Sequence, residues 1–202
     1  MKRILVADDH SIVRKGLRVL CESQFGFTDV DEADNCNGLM KALKKKPYSH
    51  LILDIVLSDG LTLEILPNIR SLYPELAILV FTMQPLGIYR SALHHHGIKQ
   101  YISKAAPEAE TIRLLQDFLY DRVTVNPVPD GLEGKPAFDN FTPREIEVLH
   151  YMLMGIGSVE IGNRLNMKSN TVSTFKRRIF EKSNTRNIME LKEFISLYRH
   201  DI

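Results

Sequence analysis

The sequence ILVADDH, Ile4 to His10, decides how the first half of the chain folds. Its apolar run is long enough for a buried β-strand, and this strand leads directly into the adjacent carboxylates of Asp8 and Asp9. Adjacent carboxylates repel each other unless a positive charge lies beside them. Acidic residues after a strand are commonly no more than a solvated turn or a helix cap, so the role of this pair depends on what the rest of the chain brings to it.

The composition indicates an ordered globular protein. The chain has 202 residues, and 44% of them are hydrophobic, which fits one large domain or two ordinary domains rather than a disordered or fibrous protein, and we favour two. We interpret its two cysteines, Cys21 and Cys36, as small buried or half-buried thiols in a reducing compartment. No N-terminal apolar run suits a signal peptide or a membrane span, so we expect a cytoplasmic protein without a membrane partner.

Strand-like and helix-like patterns alternate over the first part of the chain. The predicted strands are Arg3–Asp8, a weak edge strand near Val30, His50–Asp54, Ala77–Thr82 and Lys99–Ser103. The predicted helices are Ser11–Ser23, Asn37–Lys46, Leu61–Tyr73, Gly87–His96 and Pro107–Asp121. The first of these helices is expected to face the core with Ile12, Leu17, Leu20 and Cys21. Five strands with intervening helices predict an α/β fold with a five-stranded, doubly wound parallel sheet.

Polar residues follow several of these strands. Ligands bind beyond the carboxyl ends of the strands in such a sheet, where Asp8, Asp9, Asp54, Thr82 and Lys104 are all expected. Three carboxylates together suit Mg²⁺, which binds oxygen ligands and leaves room for phosphate oxygens. The lysine and the threonine hydroxyl can bind phosphoryl oxygens, and Asp54 is the candidate nucleophile that forms an aspartyl phosphate.

The motifs ADDH, LILDI, FT and YISKA, in this order and spacing, resemble the receiver domain of two-component response regulators. The resemblance implies that Asp54 accepts a phosphoryl group from a sensor histidine kinase. It also implies that the carboxylates and the backbone carbonyl of Val56 surround Mg²⁺. Thr82 and Tyr101 would form a switch pair, in which the hydroxyl moves toward the phosphoryl group and the aromatic ring follows inward. The alternative for Tyr101 is an ordinary amphipathic aromatic residue on an edge strand.

The loop after Asp54 departs from the receiver pattern. Receivers of this kind usually carry a methionine-proline pair and then an acidic-glycine or Asn-Gly step whose glycine lies eight residues after the nucleophile. Here Gly60 lies six residues after Asp54, and Ser58 occupies the usual proline position, so the loop is two residues shorter. Met83 is larger than the residues often found beside the phosphorylation site. We expect the loop on the metal side and its contact with the kinase to differ from the typical receiver pattern. We also expect Met83 to narrow the access of water or a phosphatase to the phosphorylation site.

The sequence changes character after the predicted α/β domain. The stretch NPVPDGLEGKP contains three prolines and two glycines without a sustained apolar period, which is typical of a linker. The predicted organisation is a receiver domain over residues 1–122, a linker over 123–139 and a second domain over 140–202.

The second domain is predicted to be a small bundle of four helices. Its first helix begins with Thr142 as the cap, Pro143 in the first turn and Glu145 completing a capping box, and it ends at Gly155. The later helices are predicted over Ser158–Leu165 with a cap at Ser158, over Asn170–Ser183 with a cap at Ser169 or Asn170, and over Asn187–Arg199. Within the third helix, the predicted inward residues are Val172, Phe175, Ile179 and the stem of Lys182. A short helix, a turn at Asn166 and Met167, and a basic helix form a helix-turn-helix.

The motifs TPREIEVL, VEIGNRL and NTVSTFKRRI resemble the LuxR-type DNA-binding domain of NarL/FixJ-type regulators. The resemblance implies that Ser173, Thr174 and Arg177 face base edges, and that Asn170, Thr171, Lys176 and Arg178 lie nearer the phosphates of double-stranded promoter DNA. Residues 168–182 carry five basic residues and one acidic residue, which suits phosphate contact. The alternative is that 176–178 is only a solvated helix face. Family members often carry lysine at Ser173 and histidine at Phe175, so the target sequence does not transfer.

Other functions fit the sequence less well or remain open. An Asp-dependent phosphatase or phosphotransferase generally has a second acid two residues after the nucleophile, where this chain has Val56, so we do not expect an enzyme. A phosphorylation-independent DNA-binding regulator, with the receiver serving for dimerisation, is the remaining alternative. We expect a homodimer on activation, since one recognition helix reads few base pairs. The run His94–His96 is interpreted as a polar helix end, because successive helical side chains diverge.

Overall fold

The computed structural model describes residues 2–122 and 138–196. Contacts between Cα atoms divide the chain into two compact units, one formed by Met1–Gln84 with His96–Asn126 and the other by Pro85–His95 with Pro127–Ile202. No helix in these described ranges is long and apolar enough to cross a membrane. Of the predicted linker, residues 123–137 lie outside the described residues.

The first unit contains the predicted doubly wound α/β fold. Its strands are β1 (Ile4–Ala7), β2 (Val30–Ala33), β3 (His50–Leu53), β4 (Val56–Leu57), β5 (Gly60–Leu61), β6 (Ala77–Thr82) and β7 (Gln100–Ser103). Its helices are α1 (Ser11–Val19), α2 (Cys36–Lys45), α3 (Leu66–Leu72) and α5 (Glu108–Leu119). Five strands form one parallel sheet in the order β2-β1-β3-β6-β7, which confirms the predicted topology.

Burial explains which sequences form the central strands. Every residue of β1 and of β3 is buried, because a parallel sheet covered on both faces has no polar side. By contrast β2, with the sequence VDEA, exposes part of Asp31 and Glu32 and lies at the sheet edge, as predicted. Leu17 of α1 and Phe118 of α5 join the central strands in one hydrophobic cluster.

The prediction that Ile12 faces the core is wrong. Ile12 is 77% exposed, whereas Leu17 and Cys21 are buried. Five helical residues rotate the side chain by about 500°, which leaves Ile12 about 140° away from Leu17 around the axis. The helix also changes form: α1 ends at Val19, and Leu20–Gln24 form a π-helical turn.

The predicted helix over Leu61–Tyr73 begins later than expected. Gly60 and Leu61 form β5 and pair antiparallel with β4, a short 3-10 turn follows over Thr62–Glu64, and α3 starts only at Leu66. Pro67 has no N–H and is accommodated in the first turn of α3, whereas a helix running through it would lose a backbone hydrogen bond. The loop after Asp54 is therefore a β-hairpin.

The second unit is helical. It contains α4 (Leu86–His95), α6 (Pro143–Leu153), α7 (Ser158–Arg164), α8 (Ser169–Ser183) and α9 (Ile188–Ser196). The capping box of Thr142 and Glu145 is present, and Gly155 has the positive φ of +79° that suits a helix end. The predicted caps at Ser158, Ser169 and Asn170 are wrong, because Gly157 and Lys168 are the extended residues that precede α7 and α8.

Buried aromatic and histidine side chains connect the elements of the second unit. The hydroxyl of Tyr89 in α4 lies 2.8 Å from Nδ1 of His150 in α6, and both residues are buried. Phe138 packs against the rings of Phe141 and Phe194. The packing of this unit therefore includes position 138, which the sequence placed in the linker.

Candidate phosphoacceptor site and nucleic-acid interface

The backbone of the sheet brings the predicted residues to one rim. The amide of Asp8 donates to the carbonyl of Ala33, and the amide of Asp54 donates to the carbonyl of Ala7. Both bonds continue the parallel strand pairing by one residue, so the two carboxylates emerge side by side. The amide of Lys104 similarly donates to the carbonyl of Thr82, which places the lysine beside the end of β6.

The side chain of Asp54 has a donor on each carboxylate oxygen. The hydroxyl of Thr82 donates to Oδ1 over 2.6 Å, and the ammonium of Lys104 donates to Oδ2 over 2.5 Å. Lys104 also forms an ion pair of 2.5 Å with Oδ2 of Asp8. Asp8 is 1% exposed and Asp54 is 6% exposed, so these charges interact in a largely dry environment.

Lys104 keeps its positive charge at this position. Burial acts to lower the pKa of its ammonium, but the hydrogen bonds and negative charges of Asp54 and Asp8 outweigh this and raise the pKa above the usual lysine value. The site therefore holds one fixed cation against the carboxylates.

The acidic side chains also form a potential metal site. Asp8, Asp9, His10 and Asp54 each offer one ligand atom, and these atoms lie within 4.8 Å of one another. Three carboxylates against one ammonium leave an excess of negative charge, which a divalent cation can neutralise. Oδ1 of Asp9 is buried and makes no hydrogen bond to any described residue, although Nδ1 of His10 lies 2.7 Å away. The donor set thus fits a small oxygen-preferring cation.

Two residues at this rim were not identified from the sequence. His10 lies beside both acids, with Nδ1 3.2 Å from Oδ1 of Asp8, and its position directly after Asp9 was the available signal. Thr62 is buried, and its hydroxyl lies 2.9 Å from the carbonyl of Asp54 and 3.0 Å from that of Ile55. Thr62 therefore fixes the backbone of the candidate nucleophile.

Three further residues singled out in the sequence also lie near the carboxyl ends of the strands. Val56 begins the β4–β5 hairpin, and its amide lies 3.5 Å from Oδ1 of Asp54. Tyr101 is in β7, pairs with Val80 two residues before Thr82, and is 8% exposed. The side chain of Met83 is largely exposed.

A glycine shapes the helix-turn-helix of the second unit. A Cβ atom on Gly162 in α7 would lie 2.6 Å from the carbonyl oxygen of Met167, so only glycine permits this close approach of the turn. The predicted turn contains Asn166 with a φ of +53°, a conformation that asparagine tolerates better than most residues. The turn then leads directly into α8.

Helix α8 has a buried face and an exposed polar face. Val172 and Ile179 are fully buried, while Phe175 is only half-buried. The ammonium of Lys182 donates to Oε2 of Glu145 over 2.6 Å and fixes the end of α8 to α6. The stem of Lys182, predicted to face inward, therefore ends in an ion pair and not only in apolar packing. The residues predicted to contact DNA are all exposed or half-buried: Asn170, Thr171, Ser173, Thr174, Lys176, Arg177 and Arg178.

The exposed face of α8 offers both acceptors and cations. The hydroxyls of Ser173 and Thr174 donate to carbonyls one turn earlier, which leaves their oxygens as acceptors. The ammonium of Lys176 lies 3.3 Å from the hydroxyl of Ser158, and the 72% exposed Arg177 lies 3.6 Å from Glu181. An open groove of about 620 Å³ beside α8 is lined by Lys176, Arg177 and other mostly polar residues, among which Glu181 is acidic and Phe180 is apolar. This surface is accessible to an anionic polymer.

Two family models match the chain. The response regulator receiver domain matches residues 4–116, and the luxR family of bacterial regulatory proteins matches residues 139–195. Among curated proteins, the oxygen regulatory protein NreC of Staphylococcus carnosus is 28% identical over 208 residues, with 95% of each chain covered. The virulence-factor transcription regulator BvgA of Bordetella pertussis is 26% identical over 197 residues, with 94% of each chain covered.

Solved structures of RcsB share the fold. RcsB from Salmonella enterica serovar Typhimurium, bound to the promoter rprA in the presence of the phosphomimetic BeF₃⁻, has a TM-score of 0.82 and 24% identity, covering 97% of this chain and 99% of RcsB. A structure of two RcsB dimers bound to two parallel DNAs has a TM-score of 0.81 and 24% identity, covering 97% and 99% of the two chains.

Proposed function

The chain belongs to the response regulators, with a receiver domain followed by a LuxR-family DNA-binding domain, and we propose that phosphorylation of Asp54 controls its binding to promoter DNA. The observation that carries this proposal is the environment of Asp54, whose two carboxylate oxygens are bound by Thr82 and Lys104. We assign the receiver to residues 1–122, the linker to 123–139 and the DNA-binding domain to 140–202.

The proposed reaction transfers a phosphoryl group from a phosphohistidine of a sensor histidine kinase. A carboxylate oxygen of Asp54 attacks the phosphorus, the bond between nitrogen and phosphorus breaks, and the leaving imidazole keeps the electron pair and takes up a proton. Lys104 remains protonated and stabilises the negative charge on the phosphoryl oxygens. The aspartyl phosphate is the product, and Asp54 is regenerated by later hydrolysis.

Mg²⁺ fits the acidic residues of this site. Asp8, Asp9 and Asp54, together with the carbonyl of Val56, would hold the ion, and it would neutralise charge on the phosphoryl group. Oδ1 of Asp9 is buried and makes no hydrogen bond to a described residue, although it lies 2.7 Å from Nδ1 of His10, so a carboxylate oxygen is available here as a ligand. The receiver match supports this assignment, because the residues on which it depends lie within residues 4–116.

Thr82 and Tyr101 would transmit the modification. The Thr82 hydroxyl bonds to Asp54, so a phosphoryl group on that carboxylate must displace it or offer it a new acceptor. Tyr101 lies on the neighbouring strand β7 and pairs with Val80 of β6, so we expect its ring to follow a shift of β6. We propose that this rearrangement favours a homodimer whose two α8 helices read two half-sites.

The DNA-binding residues would divide their roles along α8. Ser173, Thr174 and Arg177 would meet base edges, and the set nearer the phosphates would be Asn170, Thr171, Lys176 and Arg178. The structure of RcsB on promoter DNA supports this use of the shared fold.

Measurements on the phosphorylated and the unphosphorylated chain test the proposal. The chain is incubated with a small acyl phosphate and Mg²⁺, and its intact mass is measured. The same protein is then used to enrich binding sites from a pool of randomised DNA duplexes. We expect one added phosphoryl group, a dimer by light scattering and tighter binding of an enriched duplex across a salt series. Equal oligomeric state and equal affinity with and without the phosphoryl group would show that phosphorylation does not control binding.

The altered loop favours one second candidate. A β4–β5 hairpin stands at the metal side, where typical receivers have a longer loop. The second candidate is a phosphorylation-independent regulator in which the receiver serves as a dimerisation module. In that case the enriched duplex would bind equally well without the phosphodonor, and the intact mass would not change.

A further inference from the structure

The shortened loop after Asp54 closes with an unusual turn. Leu57 pairs with Gly60, so Ser58 and Asp59 form a two-residue hairpin turn. Favoured two-residue turns place at least one central residue at positive φ, yet neither Ser58 nor Asp59 has a positive φ, and the positive value of +153° falls on Gly60. A turn of this kind is not strongly favoured by its own backbone, so contacts from outside must help to fix its shape.

Both turn residues bond to the segment that starts α2. The carboxylate of Asp59 accepts the amide of Cys36 over 2.6 Å and the amide of Asn37 over 3.1 Å, and it also accepts the side-chain amide of Asn37 over 3.1 Å. The hydroxyl of Ser58 donates to the carbonyl of Asp34 over 3.1 Å. The hairpin is therefore attached to the start of α2, more than 20 residues away in sequence.

The charge of Asp59 suits this position. The first amides of a helix have no partner within the helix and carry partial positive charge, which a carboxylate neutralises. Burial acts to raise the pKa of the Asp59 carboxyl, but the amides of Cys36 and Asn37 outweigh it, so the pKa lies below its usual value. A second cap, Asn35, accepts the amide of Gly38 over 2.6 Å, and its side-chain amide donates to Asp34 and not to a hairpin residue.

The hairpin connects this anchor to the metal site. Val56, whose carbonyl is a proposed Mg²⁺ ligand, pairs with Leu61 at the open end of the hairpin, and Thr62 bonds to the carbonyl of Asp54 immediately beyond it. We propose that Asp59 is a positioning residue for the metal-side loop: by holding the start of α2, its carboxylate fixes the hairpin that carries Val56 and thereby sets the affinity for Mg²⁺. This inference rests on the proposed function.

Paired variants of the full chain test it. Asp59→Ala removes the anchor together with a cap of α2, whereas Asn35→Ala removes a cap of the same helix and leaves the hairpin attached. MgCl₂ is titrated calorimetrically into each protein, and amide hydrogen exchange is followed over residues 55–62. We expect Asp59→Ala to raise the dissociation constant for Mg²⁺ roughly tenfold and to accelerate exchange in the hairpin, with Asn35→Ala changing neither.

The conservative variant Asp59→Asn is a control for general loss of structure in Asp59→Ala. Its carboxamide oxygen can still accept a helix amide, so we expect Mg²⁺ affinity between those of wild type and Asp59→Ala. Equal effects of Asp59→Ala and Asn35→Ala, or unchanged Mg²⁺ affinity in Asp59→Ala, would show that Asp59 acts only as a helix cap. Either result would overturn the inference about Asp59 and leave the proposed metal site standing. A wild-type chain that binds no Mg²⁺ would overturn the proposed metal site as well.

Discussion

The hydroxyl of Thr82 donates a hydrogen bond of 2.6 Å to Oδ1 of Asp54, while Lys104 binds the other oxygen of the same carboxylate. The candidate nucleophile is therefore held by one neutral donor and one charged donor, delivered by two other strands of the sheet. This arrangement orients the carboxylate, and it gives the hydroxyl a direct means of responding to modification of Asp54.

Asp54→Asn should abolish the acid-labile phosphorylation of the chain. The carboxamide has nearly the same shape and can still accept from Thr82 or Lys104, but it is not a nucleophile for phosphoryl transfer. Intact mass after treatment with an acyl phosphate measures the result, and circular dichroism checks the fold. Retained phosphorylation of the variant would assign the modification to another residue.

Removal of the divalent cation should block phosphorylation. Without it, the excess negative charge of Asp8, Asp9 and Asp54 repels the incoming phosphoryl group. Asp9→Ala should behave like wild type in excess EDTA, because it deletes a proposed ligand. Normal rates of modification in EDTA would exclude a role for Mg²⁺ at the acidic cluster.

Thr82→Ala should leave phosphorylation of Asp54 intact but prevent the dimerisation that follows it. The nucleophile and Lys104 remain, so the acyl phosphate should still modify Asp54, whereas the dimer expected on phosphorylation should no longer form, as measured by light scattering. Ser103→Ala is the matched control, because Ser103 pairs with Thr82 in the sheet and its hydroxyl bonds to the amide of Ala105 instead. A normal shift to dimer in Thr82→Ala would remove the hydroxyl from the switch.

Two substitutions in α8 should weaken DNA binding in different ways. Arg177→Ala should weaken binding to the enriched duplex by roughly 1 to 3 kcal/mol and relax its sequence preference, as expected for a base contact. Lys176→Ala should weaken all duplexes alike and reduce the salt dependence. Binding to enriched and scrambled duplexes across a salt series distinguishes the two, and identical behaviour of both variants would contradict the assigned roles.

His150 should make the second unit sensitive to acid. Burial lowers its pKa from 6.5 to about 4, and the groups facing it are the hydroxyl of Tyr89 and the ring of Tyr151. As the pH falls below about 6.5, the unfolded chain takes up a proton that the folded chain excludes until pH about 4. The free energy of unfolding should therefore fall across this range, by up to about 3 kcal/mol.

Urea denaturation at several pH values measures this effect. His150→Phe keeps an aromatic ring that cannot be protonated, so its free energy of unfolding should fall less than that of wild type between pH 6.5 and 4. Parallel pH curves for the two proteins would show that another group causes the acid sensitivity.

The sequence predicted the features that depend on short-range pattern. Apolar runs followed by acidic residues identified β1 and β3 with Asp8 and Asp54 at their ends, because parallel topology sends the carboxyl ends of all strands to one rim. The capping box of Thr142 and Glu145 was equally accessible, since its residues lie within one helical turn.

Apolar periodicity misplaced one residue of α1. Ile12 and Leu17 both lie within this regular helix, but five residues of helix turn their side chains about 140° apart, so the two cannot share the buried face. The hairpin at Gly60 and Leu61 was likewise missed, because its pairing with Val56 and Leu57 depends on a turn without a characteristic sequence.

Tertiary structure alone decided the contacts between residues distant in sequence. Asp59 meets Cys36 across 23 positions, and Tyr89 meets His150 across 61. No local pattern encodes such pairs, since their geometry arises only when separate helices and strands pack and each buried or helix-terminal polar group must find a partner. The sequence by itself determined the chemistry available at the sheet rim and on α8, and the packed fold determined which donors hold Asp54 and which contacts hold the loop beside it.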